Sequence, residues 1–216
     1  MDVLPVLLSN FVDETRRKQR ALASSGFDRG IESAREIEFE FFKIVYVLAQ
    51  RQLPSLDEDA SDKAIIELAD IMEALNRLLS TLLDLNMYQP SNNEEADQYV
   101  FMSTSFQSLY SCLMSARRLA NGRLQSISLH GIVILSQLDD RLLKPHLDSL
   151  WPTLLCPLEQ AQDAALELGK TLLEIYGKSS DLKSFLTSFL AALREFVTRP
   201  EDLRMSPMFS RQFLDL

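Results

Sequence analysis

The chain has 216 residues, 46% of them hydrophobic and 25% charged, with a net charge of -9. That length and balance suit a globular chain with a buried core. The acidic excess excludes a surface that is electropositive throughout, as a general nucleic-acid binder needs, but it leaves room for a local basic patch. The six glycines are few for a backbone loop that cradles phosphate or for the turns of a β-rich fold.

The first segment, Met1 to Leu8, is only briefly apolar. It lacks a basic start, carries Asp2 and soon meets Asn10 and Asp13, so no secretory signal is expected. No run approaches the roughly eighteen apolar residues of a membrane span, and a soluble intracellular protein is expected. A helix is predicted over 3–23, with Leu4, Leu7, Leu8, Phe11 and Val12 on one face and the basic run Arg16-Arg17-Lys18-Gln19-Arg20 in its C-terminal half, where it suits the helix dipole. A second helix, 31–52, is apolar almost all round from Phe39 to Leu48, the pattern of a helix buried between neighbours.

After Pro54 an acidic loop, Leu56 to Asp62, leads into a third helix over 63–85, where Ile65, Leu68, Met72, Leu75, Leu79 and Leu82 recur at three and four. The stretch 86–97 reads as a polar loop without fixed structure. A fourth helix, 98–120, intersperses Ser103, Ser105, Ser108, Ser111 and Ser115 with large apolar residues, and these small side chains permit close helix approach. Asn121-Gly122 supplies the left-handed residue of a helix stop.

Shorter helices follow over 123–138 and 141–150, the second capped by Asp139-Asp140, with Pro145 in its first turn or kinking it. Trp151-Pro152 and Cys156-Pro157 bracket a short segment. Helices over 158–176 and 182–198 complete the set, ended by Gly177 and Pro200. A tail to Leu216 carries Met205, Met208, Phe209 and Phe213 as docking candidates.

The expected fold is therefore all-α, one helical domain over 1–216 that divides into N-terminal helices over 1–120 and helix pairs over 123–198, with a tail over 199–216. Short connections in the second half predict antiparallel neighbours. Two successive pairs near forty residues long match a HEAT or armadillo-like α-solenoid. A closed helical bundle is the alternative.

No residue pattern points to catalysis. His130 and His146 have no metal-ligand spacing and read as histidines at helix packing surfaces. Carboxylate pairs such as Asp139-Asp140, Asp57 with Asp59 and Glu36 with Glu40 fall in loops, caps or solvent faces, without a polar companion to tune them. The serines lack a nucleophile-elbow context, and Cys112 and Cys156 read as free thiols. No cofactor or metal is expected. Two basic clusters remain: Arg16, Arg17, Lys18 and Arg20, and Arg117, Arg118 and Arg123. Helical spacing splits the first around most of a turn, which suits a solvated segment. Four positive charges in five residues also suit RNA phosphate or an acidic partner.

Several segments carry a resemblance. They are Leu4-Pro5-Val6-Leu7-Leu8 with Phe11-Val12 and the run to Arg20-Ala21-Leu22; Leu142-Leu143-Lys144-Pro145-His146-Leu147 with Leu150-Trp151-Pro152; Leu172 to Tyr176 with Leu182 to Glu195; and Ser206-Pro207-Met208-Phe209-Ser210 with Phe213-Leu214. Together they are similar to nucleolar preribosomal-associated scaffold proteins of the Urb/Npa type, on the side of the second member of that pair. The resemblance implies one arm of a longer helical-repeat scaffold in early large-subunit ribosome assembly. It also implies a nucleolar location, a larger helical scaffold and an RNA helicase as partners, and no catalytic residues. The alternative is a protein–protein adaptor or self-associating helical domain of a chromatin, telomere or trafficking complex, which the serine-rich fourth helix and the apolar tail motivate.

Overall fold

A computed structural model of the chain describes residues 61–89, 92–155 and 158–177. It also describes the helical positions 10, 13, 14, 17, 20, 21, 39, 40, 42–47, 50, 183, 186, 187, 190, 191 and 194, and the turn residue 51. Every regular element among the described residues is helical, so the all-α class is observed directly. No described helix is long and apolar enough to cross a membrane. The chain divides into two compact units, Met1–Gln107 and Ser108–Leu216.

In the first unit, α1 (Asp62–Asp84) starts where the Ser61 hydroxyl accepts the Ala64 N–H at 3.3 Å, and Asp62 in its first turn suits the positive end of the dipole. The spacing seen in the sequence buries Leu68, Met72, Leu75, Leu79 and Leu82. Each of these side chains contributes about 1.5–3 kcal/mol on leaving water. The helix ends at Asn86, whose φ of 49° lies in the left-handed region, with Met87 N–H donating to the Leu82 carbonyl at 3.1 Å and Asn86 N–H to that of Leu83 at 3.0 Å. This closing turn folds the next apolar residues back onto the helix. Met87 and Tyr88, expected in a polar loop, are therefore buried core residues.

Phe39, Phe42 and Tyr46 are buried against Phe101, with ring centroids 5.4–6.0 Å apart in edge-on contact. The helical stretch that carries them is not buried all round. Ile44 is exposed and Lys43 lies over the Phe39 ring at 5.7 Å, so this stretch has an outer face.

The helix α2 (Asp97–Arg118) contributes its residues up to Gln107 to the first unit and those from Ser108 to the second. Its stop differs from the expected one. The left-handed residue is Ala120, with φ of 50°, and Asn121 N–H donates to the Ala116 carbonyl at 3.2 Å. Asn121 instead begins the next helix, its side-chain oxygen accepting the Leu124 N–H at 2.9 Å. Gly122 is the first residue of α3 (Gly122–Leu138), and a Cβ there would lie 2.9 Å from the Cβ of Gln160. Close approach, not a left-handed turn, is what requires glycine at that position.

Beyond α3 the expected helix over 141–150 is replaced by two 3-10 turns, Asp140–Leu142 and Lys144–His146, and α4 (Leu147–Leu155) begins only after them. Pro145 has no N–H to donate back along an α-helix and lies at the start of the second 3-10 turn. The helix then continues through Pro152 instead of breaking there. A further 3-10 turn, Glu159–Ala161, leads into α5 (Gln162–Tyr176). The contacts Gln125 to Leu158, His130 to Glu167 and Asp140 to Tyr176 advance together along both segments, so α3 and α5 run side by side in the same direction.

Candidate interaction surface

No charged side chain occurs on α2 from Gln98 to Ala116. One side of the helix is core: Met102, Ser105, Phe106, Leu109, Leu113 and Ala116 are buried. The other side is an exposed stripe at steps of three and four, from Asp97 to Arg118 through Val100, Thr104, Gln107, Ser111 and Met114. Val100 is 52% and Met114 37% exposed. The Thr104 hydroxyl donates to the Val100 carbonyl at 2.9 Å, which satisfies it within the helix. Single exposed apolar residues are ordinary. An outer helix face with charge only at its two ends is not, because solvated helix faces normally carry charges along their length, while the centres of interfaces are depleted in them.

Of the first basic cluster, Arg17 and Arg20 occupy exposed helical positions three apart, on one face, and Arg16 and Lys18 lie outside the described residues. In the second cluster Arg118 and Arg123 are exposed, whereas Arg117 is half-buried and donates from Nη1 to the Thr153 hydroxyl at 3.1 Å. The cluster therefore does not act as one patch, since Arg117 is directed to α4.

Among the described residues, Asp139, His130 and His146 have structural partners. Asp139, expected as a cap without a polar companion, is the best-held carboxylate described. Its side chain is 1% exposed. Oδ1 accepts Arg141 Nε at 2.8 Å and the Arg141 backbone N–H at 3.2 Å, and Oδ2 accepts Nη2 at 2.5 Å. The Tyr176 hydroxyl donates to the neighbouring Asp140 carbonyl at 2.6 Å, tying this corner to α5. His130 is exposed rather than packed, with Nδ1 3.0 Å from Glu167 Oε2 on α5. His146 lies against the Tyr110 ring, centroids 5.0 Å apart, and burial lowers its pKa. Burial raises the Cys112 thiol, which the adjacent Ser128 hydroxyl offsets only in part, so it is held as a thiol at neutral pH. Tyr46 is raised by burial beyond the usual phenol range; Ser105 offsets this in part, but among the described residues its hydroxyl has no hydrogen bond of good geometry. Cys156 and the tail residues Met205, Met208, Phe209 and Phe213 lie outside the described residues. No group of three or more His, Cys, Asp or Glu side chains among the described residues is placed to hold a metal ion.

No protein-family model, curated protein or solved structure matches the chain.

The uncharged run on α2 is visible in the sequence. Which side of it faces out is not, because every third or fourth position there holds a small or apolar residue on both sides.

Proposed function

We propose that the protein is a non-catalytic helical scaffold that works by docking other macromolecules. The uncharged outer stripe of α2 is the observation that carries this reading. The candidates for chemistry support it from the other side. Cys112 is held as a half-buried thiol, Asp139 is neutralised by Arg141, and His130 is engaged with a surface carboxylate. Each is an arrangement that stabilises a fold rather than one that poises a nucleophile or a base.

Within this reading the second unit is a HEAT or armadillo-like stack of helix pairs, α2 with α3 and α4 with α5. Arg117 on α2 meets Thr153 on α4 at a separation of 36 residues, and His130 on α3 meets Glu167 on α5 at one of 37, which supports one repeat of about that length. The parallel course of α3 and α5 is that of equivalent helices in successive repeats. A closed bundle of the same helices is the alternative.

The narrower reading is a nucleolar scaffold of early large-subunit ribosome assembly, which rests on the resemblance to the Urb/Npa type. A larger helical scaffold and an RNA helicase would be its partners. Arg17, Arg20, Arg118 and Arg123, exposed as they are, would supply phosphate contacts. Affinity purification of the tagged chain tests both levels. Recovery with those partners and large-subunit precursor RNA is expected. Stable protein partners without that RNA remove the ribosomal setting and keep the scaffold; recovery of the chain alone overturns the scaffold.

A further inference from the structure

Read from either end, the outer stripe of α2 presents matching chemistry. Asp97 stands at one end and Arg118 at the other, both exposed, and among the described residues neither is engaged in an ion pair. One turn inward come Val100 and Met114, the two exposed apolar side chains of the stripe. Inside them lie two short hydroxyl residues, Thr104 and Ser111, and Gln107 sits at the midpoint.

We propose that α2 is the contact helix of an antiparallel homodimer, in which this stripe meets the same stripe of a second copy across a two-fold axis near Gln107. The proposal rests on the docking role given to the stripe above and names its occupant. In this register each Asp97 faces an Arg118, each Val100 packs on a Met114, and Thr104 passes Ser111, where short side chains let the helices approach closely. The contact is isologous, as a two-fold pairing requires. A parallel pairing would set Asp97 against Asp97 and Arg118 against Arg118, so the end charges select the antiparallel one. In a chain of net charge -9, a face without acidic residues between its ends is also where two copies approach with least repulsion. One pair of helices about 33 Å long buries less than a standard interface, so the association is weak and concentration-dependent.

Sedimentation velocity of the full chain across the micromolar range tests this. The wild type is expected to dimerise reversibly, and less at high salt. Arg118→Glu and Asp97→Lys, prepared separately, are each expected to remain monomeric, because each places like charges at both ends of the pair. An equimolar mixture of the two is expected to form heterodimers, because mixing restores an opposite-charge pair at both ends. If either variant loses its helical circular dichroism, Asp97→Asn and Arg118→Gln replace them, each expected to weaken the dimer several-fold. A wild type that stays monomeric, single variants that dimerise like the wild type, or a mixture that stays monomeric beside a dimeric wild type each overturns the proposal. A monomeric wild type that still recovers partners by affinity purification removes the homodimer and leaves the docking role standing.

Discussion

Replacing Arg141 by Met is expected to destabilise the protein more than replacing Asp139 by Ala, although both break the same ion pair. The reason is the difference in burial, 1% side-chain exposure for Asp139 against 28% for Arg141. Arg141→Met leaves a carboxylate sealed from water without its counter-charge, which costs about 3–5 kcal/mol for a buried pair. Asp139→Ala leaves a guanidinium that is partly solvated and long enough to turn outward. Its ion-pair loss is therefore discounted to about 2 kcal/mol. The lost cap on the Arg141 backbone N–H adds about 1 kcal/mol, within the usual range for capping residues. The double variant Asp139→Asn/Arg141→Met removes both charges and keeps an oxygen for that N–H, so it is expected to cost only about 1–2 kcal/mol. Urea unfolding followed by circular dichroism orders the three variants. In thermal unfolding each kcal/mol corresponds to about 2–4 °C for a chain of this size. If Asp139→Ala is as damaging as Arg141→Met, or the double variant is no better than Arg141→Met, burial of the carboxylate is not what sets the energetics of this corner.

Gly122→Ala is expected to destabilise the fold. A Cβ 2.9 Å from the Gln160 Cβ forces a shift costing about 1–3 kcal/mol, more than the gain in helix propensity of up to about 1 kcal/mol. Adding Gln160→Gly should restore stability and adding Gln160→Ala should not; rescue by both would refute the contact. Burial lowers the His146 pKa in the folded chain, so its stabilising effect is present above the unfolded value of about 6.5 and is lost as pH falls through the folded value. The melting temperature of the wild type should therefore drop more from pH 7.5 to 5.5 than that of His146→Gln, and parallel drops would contradict this. Changing Arg16, Arg17, Lys18 and Arg20 together to Glu is expected to weaken RNA binding and flatten its salt dependence. Unchanged binding in a filter or anisotropy assay rules out a phosphate role for that segment.

Helix content was readable from the sequence wherever apolar spacing was regular, as in α1, because burial of that stripe is what holds the helix. The stops were harder. A left-handed helix end was expected at Asn121-Gly122 from residue preference, yet Ala120 takes that conformation because the Asn121 side chain is committed to capping α3. The region around Pro145 reads as one helix by periodicity. The N–H that Pro145 lacks interrupts an α-helical ladder there, where 3-10 turns stand instead, and no apolar pattern encodes that. Asp139 looked like a solvated cap because its partner, Arg141, is two residues away, where side chains on a helix do not meet. In a 3-10 corner they do. The candidate surface was half readable: its lack of charge lies in the composition of α2, whereas its position opposite the buried side depends on tertiary packing.

A docking role for α2 requires that its outer stripe be covered when the protein is at work, and Met114 reports on that. Met114 is exposed, while Met72 and Met102 are fully buried and serve as internal controls. The measurement is peroxide oxidation read by mass spectrometry, on the dilute isolated chain and on the assembly purified from cells. Rapid oxidation of Met114 is expected in the isolated chain and strong protection in the assembly, with Met72 and Met102 slow in both. Equal oxidation of Met114 in the two samples would contradict the docking role.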